Sequence, residues 1–146
     1  MLTPLRTIVR ASLAIEGLKP GEIAIVLSDD EELRVLNRRW RGIDRATDVL
    51  SFGYDEQPPE RGRRVQGDLV ISMDRMAEQA KRYRVSPGEE LTRLVVHGAL
   101  HLAGHDHHRL AERRVMRAVE ARALRANRGA AKRLDVLLSK ARSEKR

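Results

Sequence analysis

The sequence predicts an α/β fold in which a small mixed sheet of three to four strands packs with five to six helices. Three observations carry this reading: short β-branched runs bounded by turn residues, amphipathic stretches of helical period between them, and strands confined to the first half of the chain. At 146 residues, 41% apolar and 34% charged, the chain suits a single hydrophobic core. No apolar run approaches the ~20 residues of a membrane span, so no membrane partner is expected. The opening MLTPLRTIVRASLAIEG is broken by Arg and Glu too often for a signal peptide. Cysteine is absent. That removes disulfides and thiolate metal sites and fits a cytoplasmic location.

Residues Pro4 to Gly17 place Leu5, Ile8, Val9, Leu13 and Ile15 along one helical face. Glu22 to Ser28 (EIAIVLS) reads as a buried strand between Pro20-Gly21 and Asp29-Asp30. Ser28 or Asp29 then caps the helix DDEELRVLNRRWR, whose acids come first and bases last, as the helix dipole favours. Thr47 to Tyr54 and Gly67 to Ser72 are two further strands, joined by the polar loop DEQPPERGRRVQ. Helices follow over Met73 to Tyr83, from Pro87 to about Ala103, and from about Arg109 to Ala126. Asn127 to Gly129 break the last of these, and LDVLLSKA is a short amphipathic helix before a charged tail.

The formal charge is +8, and its distribution is uneven. Arg109 to Arg146 holds 13 basic and 4 acidic residues, a net +9, whereas the first 108 residues hold 16 and 17. Such a block suits contact with a polyanion such as nucleic acid, or else a solvated Arg-rich helix. Aromatics are limited to Trp40, Phe52, Tyr54 and Tyr83, too few for a sheet that stacks successive bases. RNA, if bound, is expected to be held mainly through phosphates and shape. On this basis residues 1–126 form the domain and 127–146 a basic C-terminal extension, a phosphate-contacting arm.

All five histidines fall within LVVHGALHLAGHDHHR. His97 and His101, four apart, stack one turn apart on a helix, flanking the apolar stripe of Leu91, Leu94, Val95, Gly98, Ala99 and Leu102. With Val96 and Leu100 opposite, this helix is apolar nearly all round and is expected to be central. Two buried imidazoles need partners, and a metal serves both. Gly104 can end the helix in a left-handed conformation and turn the chain so that His107 meets the first pair. HxxxHxxGxxH thus supplies three nitrogens to one Zn²⁺ at ~2.0–2.1 Å and leaves a fourth position for water, whose pKa zinc lowers to ~7. Solvent-facing histidines on a loop, or a closed site with Asp106 as fourth ligand, are the alternatives.

The spacing matches the metal helix of metzincin proteases, HExxHxxGxxH, in which the Glu is the general base. Gly98 stands at that position and cannot take a proton. Peptide hydrolysis by that route is therefore not expected.

HGALHLAGHDH, from His97 to His107, resembles the HGxLHLxGYDH motif of the YbeY endoribonucleases, with His105 in place of the usual Tyr. Residues 36–52, LNRRWRGIDRATDVLSF, resemble a second block of that family, and GDLVIS (Gly67 to Ser72) a third. The likeness runs from about Glu22 to Leu124. It implies that His97, His101 and His107 bind zinc and that Arg41 is the functional basic residue of the cleft. A guanidinium suits that task, because it grips a phosphodiester bidentately.

The resemblance further implies a zinc-dependent endoribonuclease of single-stranded RNA. Its substrate would be precursors of small-subunit rRNA, in ribosome maturation and quality control, with the small ribosomal subunit and an Era-type GTPase as partners. It also implies a strand before the first helix, whereas this chain begins almost directly with that helix. Asp48 and Asp68 are candidate acceptors for the ligand imidazoles, and His105 and His108 candidate proton carriers. Metal-activated hydroxide and the RNA's own 2′-OH are both compatible nucleophiles. A zinc hydrolase of another substrate and a non-catalytic, zinc-stabilised rRNA-binding assembly factor are the rival readings.

Overall fold

A computed structural model describes residues 1–54, 64–104 and 110–144. The elements run α1 (Leu2–Ile15), β1 (Lys19–Ser28), α2 (Asp30–Arg41), β2 (Val49–Gly53), β3 (Arg64–Ser72), α3 (Met73–Tyr83), α4 (Pro87–Leu102), α5 (Leu110–Ala126) and α6 (Arg128–Glu144). β3 is the middle strand, parallel to β1 and antiparallel to β2. This is the small mixed sheet expected.

Alternation along the strands builds two cores of unequal size. Val65, Leu69 and Ile71 of β3 and Ile23, Ile25 and Leu27 of β1 face the larger core, shared with α1 and α4. Val70 and Leu50 face the other way, under Leu33 and Leu36 of α2. The sheet is thus covered by α2 on one face and chiefly by α1 and α4 on the other.

Side-chain caps fix where the helices start. Asp29 Oδ1 accepts the Glu32 N–H at 2.9 Å, Ser72 Oγ that of Arg75 at 3.1 Å, and Ser86 Oγ that of Glu89 at 3.1 Å. Each such cap contributes on the order of 1 kcal/mol. Gly42 ends α2 at φ +71°, where a Cβ would be strained.

Helix α4 is the centre of the molecule, in contact with α1, α3, α5, α6, β2 and β3. Leu91, Leu94, Val95, Val96 and Leu100 have no exposed surface. Burying each contributes roughly 1.5–3 kcal/mol before entropy is counted. The all-round apolar pattern therefore has its expected consequence.

Two elements begin earlier than expected. Residues 127–146 were expected as a basic extension carrying the short amphipathic helix LDVLLSKA; that helix is longer, since α6 spans Arg128–Glu144 and buries Ala130, Ala131 and Leu134 against α4 and α1. The apolar stripe of LDVLLSKA thus starts a turn earlier, at Ala130 and Ala131, where small side chains give a weak apolar signal among the bases. The fit is close: a Cβ on Gly88 of α4 would lie 2.3 Å from the Ala131 carbonyl oxygen. Likewise β3 begins at Arg64 rather than Gly67. Val65 points into the core at 2% exposure while Arg64 and Gln66 point outward, so a loop-like composition concealed a period of two.

Candidate metal centre and cleft

His97 and His101 project from the same side of α4 as their spacing requires. Their Nε2 atoms lie 3.0 Å apart, with ring centroids 4.6 Å apart. On its far side His97 Nδ1 lies 2.7 Å from Oε1 of Glu120, which α5 brings to the site. Burial pushes the Glu120 carboxyl up, but the hydrogen bond and charge of His97, with Arg93 and His101, outweigh it and hold the group below the usual carboxylate range. An ionised Glu120 accepts a hydrogen bond from Nδ1–H, the tautomer that leaves the His97 Nε2 lone pair facing His101.

These two nitrogens fit a shared metal. Their separation is close to the ~3.3 Å that two nitrogens at ~2.0–2.1 Å from one tetrahedral zinc require. Neutral nitrogens with one ring anchored by a carboxylate form a zinc-type donor set. His107, expected as the third ligand, lies outside the described residues, as do His105, Asp106 and His108. Gly104, expected to turn the chain toward His107, has φ +98° and donates its N–H to the His101 carbonyl at 3.0 Å.

The imidazoles open into a cleft of about 720 Å³ that Arg41 also lines, with Asn37, Thr47, Asp48 and Ser51. Arg41 comes from the last turn of α2 and is steadied by its Nη2, which donates to the Ser51 carbonyl at 3.4 Å. Ser51 is the hinge between layers, because its hydroxyl donates to the Gly98 carbonyl of α4 at 3.1 Å. Gly98 itself faces the sheet. A Cβ there would lie 2.9 Å from Leu69 Cδ2 and 3.3 Å from Ser51 Oγ and Val49 Cγ2.

The two aspartates have other partners. Asp48 lines the cleft, accepts the Val49 N–H at 2.8 Å and reaches Gln79 at 3.4 Å and Arg93 at 3.9 Å. Asp68 accepts the Tyr54 hydroxyl. The acceptor that sequence reasoning missed is Glu120, hidden among the arginines of α5. Arg93 was missed too, although its place one turn before His97 was a usable signal. Burial works against its charge, but the ion pair with buried Glu90, and Asp48 beyond, hold the guanidinium protonated.

A family model described as Endoribonuclease YbeY matches residues 3–128. The chain belongs to the YbeY family. It is 49% identical over 122 residues to an Endoribonuclease YbeY of Anaeromyxobacter sp. (strain Fw109-5), covering 84% of this chain and 62% of that one. It is 40% identical over 125 residues to that of Desulforamulus reducens, covering 82% of each. Against the Persephonella marina member it is 49% identical over 88 residues, 60% of this chain and 58% of that protein. The chain thus spans about three fifths of the length of several YbeY relatives it matches. The solution structure of TM1509 from Thermotoga maritima superposes with a TM-score of 0.62 at 25% identity, over 88% of this chain and 81% of that one.

Proposed function

We propose that this chain is a zinc-dependent endoribonuclease that cuts single-stranded RNA, with precursors of small-subunit rRNA as substrate. The observation that carries the reading is the convergence of His97 and His101 Nε2, 3.0 Å apart, in the cleft that Arg41 also lines. The printed name of the relatives, Endoribonuclease YbeY, supports the reaction class. By the same resemblance the partners are the small ribosomal subunit and an Era-type GTPase, and the location is cytoplasmic. No helix among the described residues is long and apolar enough to cross a membrane.

His97 and His101 would hold the zinc, with His107 as third ligand by its spacing. When bound, zinc supplies Lewis acidity toward a phosphodiester in the cleft. Glu120 keeps the His97 proton on Nδ1, so that Nε2 stays available. Arg41 places a planar double donor at the cleft wall, where it orients one phosphate and stabilises the charge that grows on it as the bond breaks. The Ser51 carbonyl limits the swing of that guanidinium. Gly98 offers no proton acceptor, which turns the site away from the zincin route to peptide hydrolysis.

The test is cleavage of single-stranded rRNA fragments by the purified protein, with and without a chelator, beside His97→Ala/His101→Ala. Expected is cleavage lost with the chelator, restored by zinc and absent from the double variant. Cleavage that survives ligand loss would sink the zinc mechanism. RNA binding without cleavage by the zinc-loaded parent would favour the assembly-factor reading.

A further inference from the structure

Beside the cleft lies a second cavity of about 620 Å³, between the end of α3, the first turns of α4 and the junction of α5 with α6. Tyr83, Val85 and Leu124 form its apolar side, and Arg125, Arg128 and Lys132 its basic side. The lining holds three acids, Glu89, Glu90 and Asp135, and the last two have partners of their own. Glu90 is 1% exposed and holds Arg93, and Asp135 accepts the Ser86 hydroxyl at 2.7 Å and the Gly88 N–H at 2.6 Å. Among the described residues no carboxylate lies within ion-pair distance of Arg125, Arg128 or Lys132. With Glu90 held by Arg93, the lining keeps Arg125, Arg128 and Lys132 against Glu89 and Asp135, a net positive charge beside an apolar wall that favours an anion with a flat apolar body.

Cavity and cleft share a wall. Arg93 lines the cavity, and its Nη2 lies 3.9 Å from Oδ2 of Asp48, which lines the cleft. Along α4, Arg93 stands one turn before His97, and along α5, Leu124 stands one turn beyond Glu120. The helix pair that builds the metal centre therefore continues directly into the cavity.

We infer that this cavity binds a nucleotide of the same RNA strand that occupies the cleft, its base against Tyr83 and Leu124 and its phosphate on Arg125, Arg128 and Lys132. The inference rests on the ribonuclease reading above and adds a second foothold to it. Tyr83 suits the base: it is 54% exposed, and the Arg93 guanidinium lies 5.8 Å from its ring centroid. The basic excess of the C-terminal quarter thereby gains a place in substrate recognition, at the α5–α6 junction instead of on a free arm. Lys132 lies beyond residues 3–128, so the subsite draws partly on a segment outside the family model.

The test is fluorescence anisotropy with labelled 2′-O-methyl RNAs, a trinucleotide too short to span both sites and a dodecanucleotide, over a range of salt. Parent is compared with R125Q/R128Q/K132Q and, separately, with Tyr83→Ala, each checked for fold by circular dichroism. The triple variant should bind the dodecanucleotide roughly tenfold more weakly, with a salt slope shallower by about 0.7, since each phosphate neutralised on a single strand adds ~0.7. Tyr83→Ala should weaken it several-fold with the slope unchanged. Trinucleotide affinity should not move. Undiminished dodecanucleotide binding by the triple variant, an equal loss with the trinucleotide, or no binding by the parent would each overturn the inference. Free uridine monophosphate bound by the parent and lost in the triple variant, with the dodecanucleotide unaffected, would overturn the strand assignment in favour of a free nucleotide. If dodecanucleotide binding falls as expected but zinc-loaded parent cuts no RNA, the subsite stands and the ribonuclease reading fails. Cleavage by the parent with dodecanucleotide binding untouched in the variant gives the reverse.

Discussion

Nδ1 of His97 sits 2.7 Å from Oε1 of Glu120, so the ring that α4 supplies is aimed by a carboxylate that α5 supplies. Glu120→Gln keeps the size of the side chain and removes its charge. Zinc affinity should then fall about 10–100-fold, the usual cost of losing such a partner. Competition against a chromophoric chelator reads this directly. Unchanged affinity would leave Glu120 a packing residue.

Arg41 lines the same cleft as the imidazoles and donates to the Ser51 carbonyl. Arg41→Ala should retain zinc while RNA turnover drops about 10²–10³-fold, the size of effect seen when one charge-stabilising donor is lost. Arg41→Lys should recover only part of the rate, because an ammonium cannot present two parallel donors. Metal loss in Arg41→Ala would contradict a phosphate role.

Metal should also be visible in stability. Zinc at about 100 times its Kd should stabilise the fold by ~2.7 kcal/mol, read as a rise in thermal midpoint that a chelator reverses. His101→Ala should abolish the rise. A rise of equal size in that variant would place the metal elsewhere.

Helix α6 makes a prediction opposite to that of a loose arm. Gly88→Ala forces a Cβ to within 2.3 Å of the Ala131 carbonyl oxygen and should destabilise the fold by about 1–3 kcal/mol in urea titration. Deleting residues 129–146 removes Leu134, which is fully buried, and should collapse cooperative unfolding. A truncated chain that melts like the parent would restore the arm.

Those outcomes follow the line between what the sequence disclosed and what it withheld. The His97–His101 pair was legible because a four-residue step is local geometry, and so was the turn at Gly104. The central place of α4 was legible because Val96 and Leu100 complete an apolar circumference. Glu120 was not, since its pairing with a ring 23 positions earlier depends on how α4 and α5 pack, and nothing in its own helix marks it out from its neighbours. Helix α6 was legible only in part, as the amphipathic LDVLLSKA, for a related reason. Ala130, Ala131 and Leu134 are a thin apolar line in a strongly basic stretch, and only the groove beside Gly88 reveals that they have a surface to meet.

At Gly98 the backbone of α4 approaches Leu69, Ser51 and Val49 so nearly that a single methyl would crowd the sheet. A glutamate at that position, the residue a zincin protease carries, could not enter while the layers keep this spacing. Proteolytic and nucleolytic versions of the histidine pattern are thus not one codon apart in this scaffold. An attempt to engineer the former would have to begin by rebuilding the seam between β2 and α4, and only afterwards by adding the acid.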